Sequence, residues 1–164
     1  MAIALVGFLA GVAAPLLAEA VGAVSVHLDR VNLEESASLA LSRMSREIRR
    51  LRDNASVAAA DATQFEFIDK DSIQIRYRLA GNTLMRSQGA VEAGLADQVK
   101  STTLSFTYYD DDGNSIAAPT VGLGTNTNLR RVGMDVSFEQ NSHMVPVEIH
   151  VRPRNLRHES DRFF

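Results

Sequence analysis

The sequence predicts an α+β chain, with one long N-terminal α-helix packed on an antiparallel β-sheet. Three observations predict it. Met1 to Ala18 carries no charge, apolar residues at helical spacing continue beyond it to Leu51, and the second half alternates apolar and polar residues with a period of two. The 164 residues leave room for about one domain beyond the N-terminal segment.

The N-terminal segment admits three readings. A secretory signal peptide cleaved after Ala20 would use Ala18-Glu19-Ala20 as its small-residue site, but no Lys or Arg precedes Arg30. A buried helix of a soluble protein is the second reading, because about 20 apolar residues span a bilayer and Glu19 falls just short of that. A membrane-spanning helix is the favoured one. Within it Gly7 and Gly11 form a small-xxx-small pair that lets helix backbones approach closely, and Pro15 removes a helical hydrogen bond.

From about Ala20 to Asp53 the pattern is that of one amphipathic helix. Leu33, Ala37, Leu41, Met44, Ile48 and Leu51 fall at spacings of four and three, a single stripe suited to packing on a sheet. Asp29, Arg30, Glu34, Glu35, Arg43, Arg46, Arg49 and Arg50 mostly lie off it, and the acidic-then-basic order complements the helix dipole. A continuous helix from Met1 to Asp53 would be about 80 Å long, so one end must project from so small a domain. Asn54 reads as a stop signal, followed by an Ala-rich linker to Ala62.

The strand pattern begins after Phe65. Ile73, Ile75, Tyr77 and Leu79 share one face, Ala80-Gly81-Asn82 is turn chemistry, and Thr83 to Arg86 can return as a hairpin. Leu104, Phe106 and Tyr108 repeat the alternation, as do Val132 to Phe138 and, after Asn141-Ser142, Val145 to Val151. Such alternation means one buried sheet face, and Pro146 suits an edge strand. Gln88 to Gly94 and Asp112 to Asn128 read as irregular, the latter a loop long enough to carry contacts.

Candidate chemistry is sparse. Asp110-Asp111-Asp112-Gly113-Asn114 has the oxygen ligands and glycine of a calcium loop but no late acidic residue, so an acidic hairpin turn is the favoured reading. His27, His143, His150 and His158 show no metal spacing, and Gly122-Leu123-Gly124 lacks a helix to open. Without Cys there is no disulfide or thiolate chemistry, and no serine-nucleophile motif is present. The expectation is a non-enzyme with no catalytic residue, cofactor or metal. Net charge is −3, and the Arg43–Arg52 cluster is interleaved with Glu47 and Asp53, so no nucleic-acid partner is expected.

Residues 1–15 (MAIALVGFLAGVAAP) resemble the membrane helix of type IV pilins and pseudopilins, including the placement of Gly7 and Pro15. Leu39 to Arg49 (LALSRMSREIR) resembles the helix of the larger minor pilins. These are the J-type pseudopilins of type II secretion and the W- and O-type minor prepilins of type IV and mannose-sensitive haemagglutinin (MSHA) pili. Leu84-Met-Arg-Ser, Phe106-Thr-Tyr-Tyr-Asp-Asp-Asp-Gly and Arg152-Pro-Arg-Asn-Leu are similar to the same group.

The resemblance implies a pilin-like fold and a structural minor pilin or pseudopilin that helps initiate filament assembly. It divides the chain into a transmembrane or filament-core helix half (1–28), an amphipathic half (29–54), a periplasmic β-rich domain (55–156) and a polar tail (157–164). Gly7, Gly11 and Pro15 would serve helix packing between subunits, and Leu33, Leu41, Met44, Ile48 and Leu51 helix-to-sheet packing. The implied partners are other pilins or pseudopilins, inner-membrane lipid before assembly, and prepilin peptidase. The peptidase motif Gly-Phe-Thr-Leu-x-Glu is missing here, and alignment to Gly7 and Pro15 puts it just upstream of Met1. Two other classes stay open: a tip adhesin or DNA-capturing minor pilin, and a secreted periplasmic protein cleaved after Ala20.

Overall fold

The computed structural model describes residues 2–118, 129–141 and 143–156, and for residues 2–18 the helical backbone alone. Helix α1 runs Ala2–Ile48, and the chain then enters a short 3-10 turn at Asn54–Ser56. Strands β1 (Val57–Ala60), β2 (Gln64–Ile68), β3 (Gln74–Ala80), β4 (Thr83–Gln88) and β5 (Val91–Ala96) form an antiparallel meander in sequence order. Strands β6 (Ser105–Tyr109), β7 (Ser115–Ile116), β8 (Arg131–Gln140) and β9 (His143–Val151) form a second antiparallel sheet, in the order β7-β6-β8-β9.

This overturns the expected pilin-like α+β arrangement of one long helix on one sheet. The described head is mostly strand, in two sheets, and only the C-terminal third of the helix is seated on it. Three segments account for the difference. The Ala-rich stretch read as a linker contains β1, which pairs with β2, and the connection read as irregular at 88–94 contains a tight turn at Gly89 (φ 58°) and most of β5. Between β5 and β6, Gln98 (φ 63°) and Thr102 (φ 72°) take left-handed backbone that breaks the strand direction and divides the sheets.

The sheets remain joined. Val99 bridges to Phe138, with Lys100 N–H donating to Ser137 O at 2.8 Å and Glu139 N–H to Gln98 O at 2.8 Å. The core lies where both sheets and the helix meet. Phe65 of β2 contacts Phe67, Phe106 and Tyr108 at ring separations of 5.1, 5.9 and 5.8 Å, so one side chain ties β2 to β6. The buried Tyr108 hydroxyl donates to Asp61 O at 2.8 Å.

The helix presents Leu33, Ala37, Ala40, Leu41, Met44 and Ile48 to this core, and Leu51 follows them. The helix stops at Ile48, short of Asp53, and turn residues from elsewhere in the chain take the carbonyls that follow it. Lys70 N–H donates to Arg50 O at 2.8 Å, Arg154 N–H to Arg49 O at 3.2 Å, and Asn155 Nδ2 to Leu51 O at 3.1 Å. The buried Asp69 carboxylate accepts from Asp71 N–H (2.8 Å) and Ile73 N–H (3.0 Å), fixing the β2–β3 turn beside that end.

Candidate functional site

The helix has two apolar faces. One is the buried stripe. The other is formed by Val21, Val24, Leu28 and Val31, spaced three, four and three and exposed by 68, 59, 55 and 44%. At about 100° per residue this second stripe points roughly opposite to the first, away from both sheets. Leu39 extends it at 65% exposure. An amphipathic helix on a monomer needs one apolar face, and the second has no partner among the described residues.

The β8–β9 hairpin marks where the seated part of the helix begins. Asn141 at its tip donates from Nδ2 to the Asp29 carboxylate at 2.8 Å. N-terminal to Asp29 the described side chains of the helix, from Glu19 onward, are all exposed. Among the described residues no helix is long and apolar enough to cross a membrane. The side chains of Gly7, Gly11 and Pro15 lie outside the described residues, as do most of the Asp112–Asn128 loop and the 157–164 tail.

One flank of the seated helix is closed by charge. Glu47 accepts from Arg86 Nε of β4 at 2.8 Å and from the buried Tyr77 hydroxyl of β3, with Arg43 Nε at 3.1 Å from the same helix. Burial pushes the Glu47 carboxyl up, but the hydrogen bonds from Arg86, Tyr77 and Arg43 outweigh it and hold it below the ordinary carboxylate range. Burial, reinforced by Glu47, pushes the Tyr77 phenol far up, so it stays a neutral donor. The sequence shows Glu47 only as a charge between arginines. Nothing in helical periodicity points to its partners on β3 and β4.

The other flank is open. A groove of about 740 Å³ runs between α1 and β9, with Val145, Val147 and Ile149 of the edge strand, half-buried, as its floor. Leu41 and the small residues Ser38, Ser42 and Ser45 form the helix wall, and Arg46 and Arg49 close the C-terminal end. Pro146 lies in β9 opposite Ser137, whose own N–H and C=O bond to Thr103 and Lys100 on the far side of β8. The ring therefore replaces an N–H on the free edge of β9 and costs the ladder nothing, while blunting that edge against strand pairing.

Beyond the groove Arg46, Arg49, Arg50, Lys70 and Arg154 converge. Arg50 pairs with Asp69 and Asp71, and Lys70 with Asp71, but Arg46, Arg49 and Arg154 have no acidic partner among the described residues. The Arg43–Arg52 cluster is thus divided between internal pairs and a free positive end.

The acidic Asp110–Asn114 segment closes the β6–β7 turn. Asp110 accepts from Asn114 N–H at 2.8 Å, Gly113 adopts φ 84°, and Asp111 pairs with Arg130 at 2.8 Å. The Asp110 carboxylate is engaged within the turn and that of Asp111 by Arg130, and the described residues contain no group of three or more potential metal-ligating His, Cys, Asp or Glu side chains. His150 contacts Tyr109 edge-on at 5.5 Å and Glu148 Oε1 at 2.9 Å, on the outer face of the second sheet.

No protein-family model matches the chain, and no curated protein matches it. The geometry defines the class of site without them: an apolar helical rod standing out from a β-rich head, beside an apolar groove with a positive end.

Proposed function

We propose that this chain is a structural assembly subunit, of the minor pilin or pseudopilin kind, that helps to start or prime a filament through its N-terminal helix. One observation carries the reading: α1 outruns its head and bears a second apolar stripe, Val21–Val24–Leu28–Val31, turned away from it. Burying about four such side chains between subunits contributes roughly 1.5–3 kcal/mol each relative to full exposure. Contacts between one subunit's rod and the next subunit's flank are head-to-tail, and a rotation that does not close propagates them as a filament. The resemblance of residues 1–15 and 39–49 to pilin helices supports the same reading, whereas the two-sheet head departs from it.

An inner-membrane position before assembly, with the head in the periplasm, belongs to this proposal. The test has two arms. Carbonate extraction of cell membranes should leave the full chain in the pellet. Sedimentation of the purified chain on detergent removal should show concentration-dependent assemblies, abolished by Val24→Glu with Leu28→Glu. A chain that stays monomeric at every concentration overturns the reading.

A further inference from the structure

We infer that the α1–β9 groove is the receiving surface for the rod of a second copy of this chain, lying parallel and displaced by about 14 residues, two heptads. The inference rests on the assembly reading above and specifies its contact.

The seam that the exposed stripe begins does not end at Val31. Continued at spacings of four and three, it passes through Glu35, Ser38, Ser42, Ser45 and Arg49. Its lower half is bulky and apolar, and its upper half carries three small serines between Glu35 and Arg49. The three serines belong to the helix wall of the groove, Arg49 closes its end, and Val145, Val147 and Ile149 add apolar surface beside them.

A parallel displacement of two heptads keeps every seam position facing a seam position. It sets Val24 of the incoming copy opposite Ser38, Leu28 opposite Ser42 and Val31 opposite Ser45, bulky side chains against small ones. It also sets Glu35 of the incoming copy opposite Arg49. Neither of these groups has an ion pair within its own chain among the described residues, whereas Arg30–Glu34 and Arg43–Glu47 are internally paired at 2.8 and 3.1 Å.

The alternatives lose this match. An in-register parallel pair puts Leu28 on Leu28, serine on serine and Arg49 on Arg49. An antiparallel pair can set Leu28 on Ser38, but it leaves Glu35 facing Val31 and Arg49 with no acid opposite it. An antiparallel pair centred on Ser42 does join Glu35 to Arg49, but it leaves Val24 and Leu28 beyond the partner's helix. Only the displaced parallel pair joins these charges and also sets the bulky half against the serines. It advances the incoming copy by roughly 21 Å along the helix axis, and the receiving head borders the seam only through β9.

The chain contains no cysteine, so introduced cysteines report single contacts. Full-length Leu28→Cys and Ser42→Cys proteins, mixed under the assembly conditions and oxidised, should yield the crossed disulfide dimer, with little Leu28→Cys self-dimer. In parallel, Glu35→Arg and Arg49→Glu should each weaken association roughly 2- to 5-fold, and mixing the two variants should restore it between unlike copies. Both charges are exposed, so circular dichroism should show both variants folded. Association retained with crosslinks at 28–28 or 28–38 overturns the groove and its register while leaving the assembly reading standing. No association of the unmodified chain overturns both.

Discussion

Asn141, in the turn of the β8–β9 hairpin, donates from Nδ2 to the carboxylate of Asp29 at 2.8 Å, across 112 residues of sequence. This contact fixes the point at which the helix leaves the head. Asn141 also holds φ at 49°, a left-handed conformation that Asn tolerates better than most residues. The two roles are separable. Asn141→Gly keeps the turn and removes the donor, so amide exchange should speed up around Asp29 with little change in global stability. Asn141→Ala adds left-handed strain and should cost about 1 kcal/mol more in denaturant unfolding.

Glu47 closes the opposite flank. Glu47→Gln keeps the shape but leaves Arg86 half-buried with a neutral partner, and should destabilise the chain by about 2 kcal/mol in urea unfolding. The folded-state carboxyl titrates below its ordinary value near 4.5, so its contribution is present above that pH and is lost as pH falls through the lowered value. Stability of the unmodified chain should therefore fall more steeply below pH 4.5 than that of Glu47→Gln, and the two curves should converge in acid.

Phe65 tests whether the two sheets unfold together. Its ring touches Phe67 within its own strand and Phe106 and Tyr108 in the second sheet. Phe65→Ala should cost about 3–5 kcal/mol. Tryptophans placed separately on β3 and β8 should report the same lowered midpoint; two midpoints would mean that the sheets are independent units.

The strands legible in the sequence were those with clean alternation. Ile75 to Leu79 lies on β3 with Ile73 just before it, Phe106 and Tyr108 on β6 with Leu104 just before it, Val132 to Phe138 on β8 and Val145 to Val151 on β9, the last an edge strand as Pro146 suggests. The stripe Leu33–Leu51 was legible for the same reason, a periodicity that one buried face enforces. The division into two sheets was not. It depends on β1, whose Val57-Ala-Ala-Ala carries little strand propensity, and on β5, whose Val91 to Gly94 is exposed on both faces. It also depends on left-handed backbone at Gln98 and Thr102, residue types that do not advertise it. The groove was hidden too: its helix wall is polar in sequence, and only the seating of β9 beside it shows that Ser38, Ser42 and Ser45 border apolar surface.

Gly133 supplies a last test, on the outer face of the second sheet. It sits inside β8 between Thr107 and His150 in register, where glycine ordinarily weakens a strand. A Cβ built there meets His150 Cε1 and Nδ1 at 3.1 Å and Tyr109 Cε2 at 3.2 Å. Tyr109 is held from its face by the Arg131 guanidinium, 4.3 Å from the ring centroid, so His150 is the neighbour free to move. Gly133→Ala should cost about 1 kcal/mol, the strain of displacing the imidazole exceeding the gain in strand propensity. In a His150→Ala background the same change should cost less than half as much, a coupling that a double-mutant cycle reads directly. Equal costs in both backgrounds would place the strain on Tyr109 and remove His150 as the reason for glycine at this position.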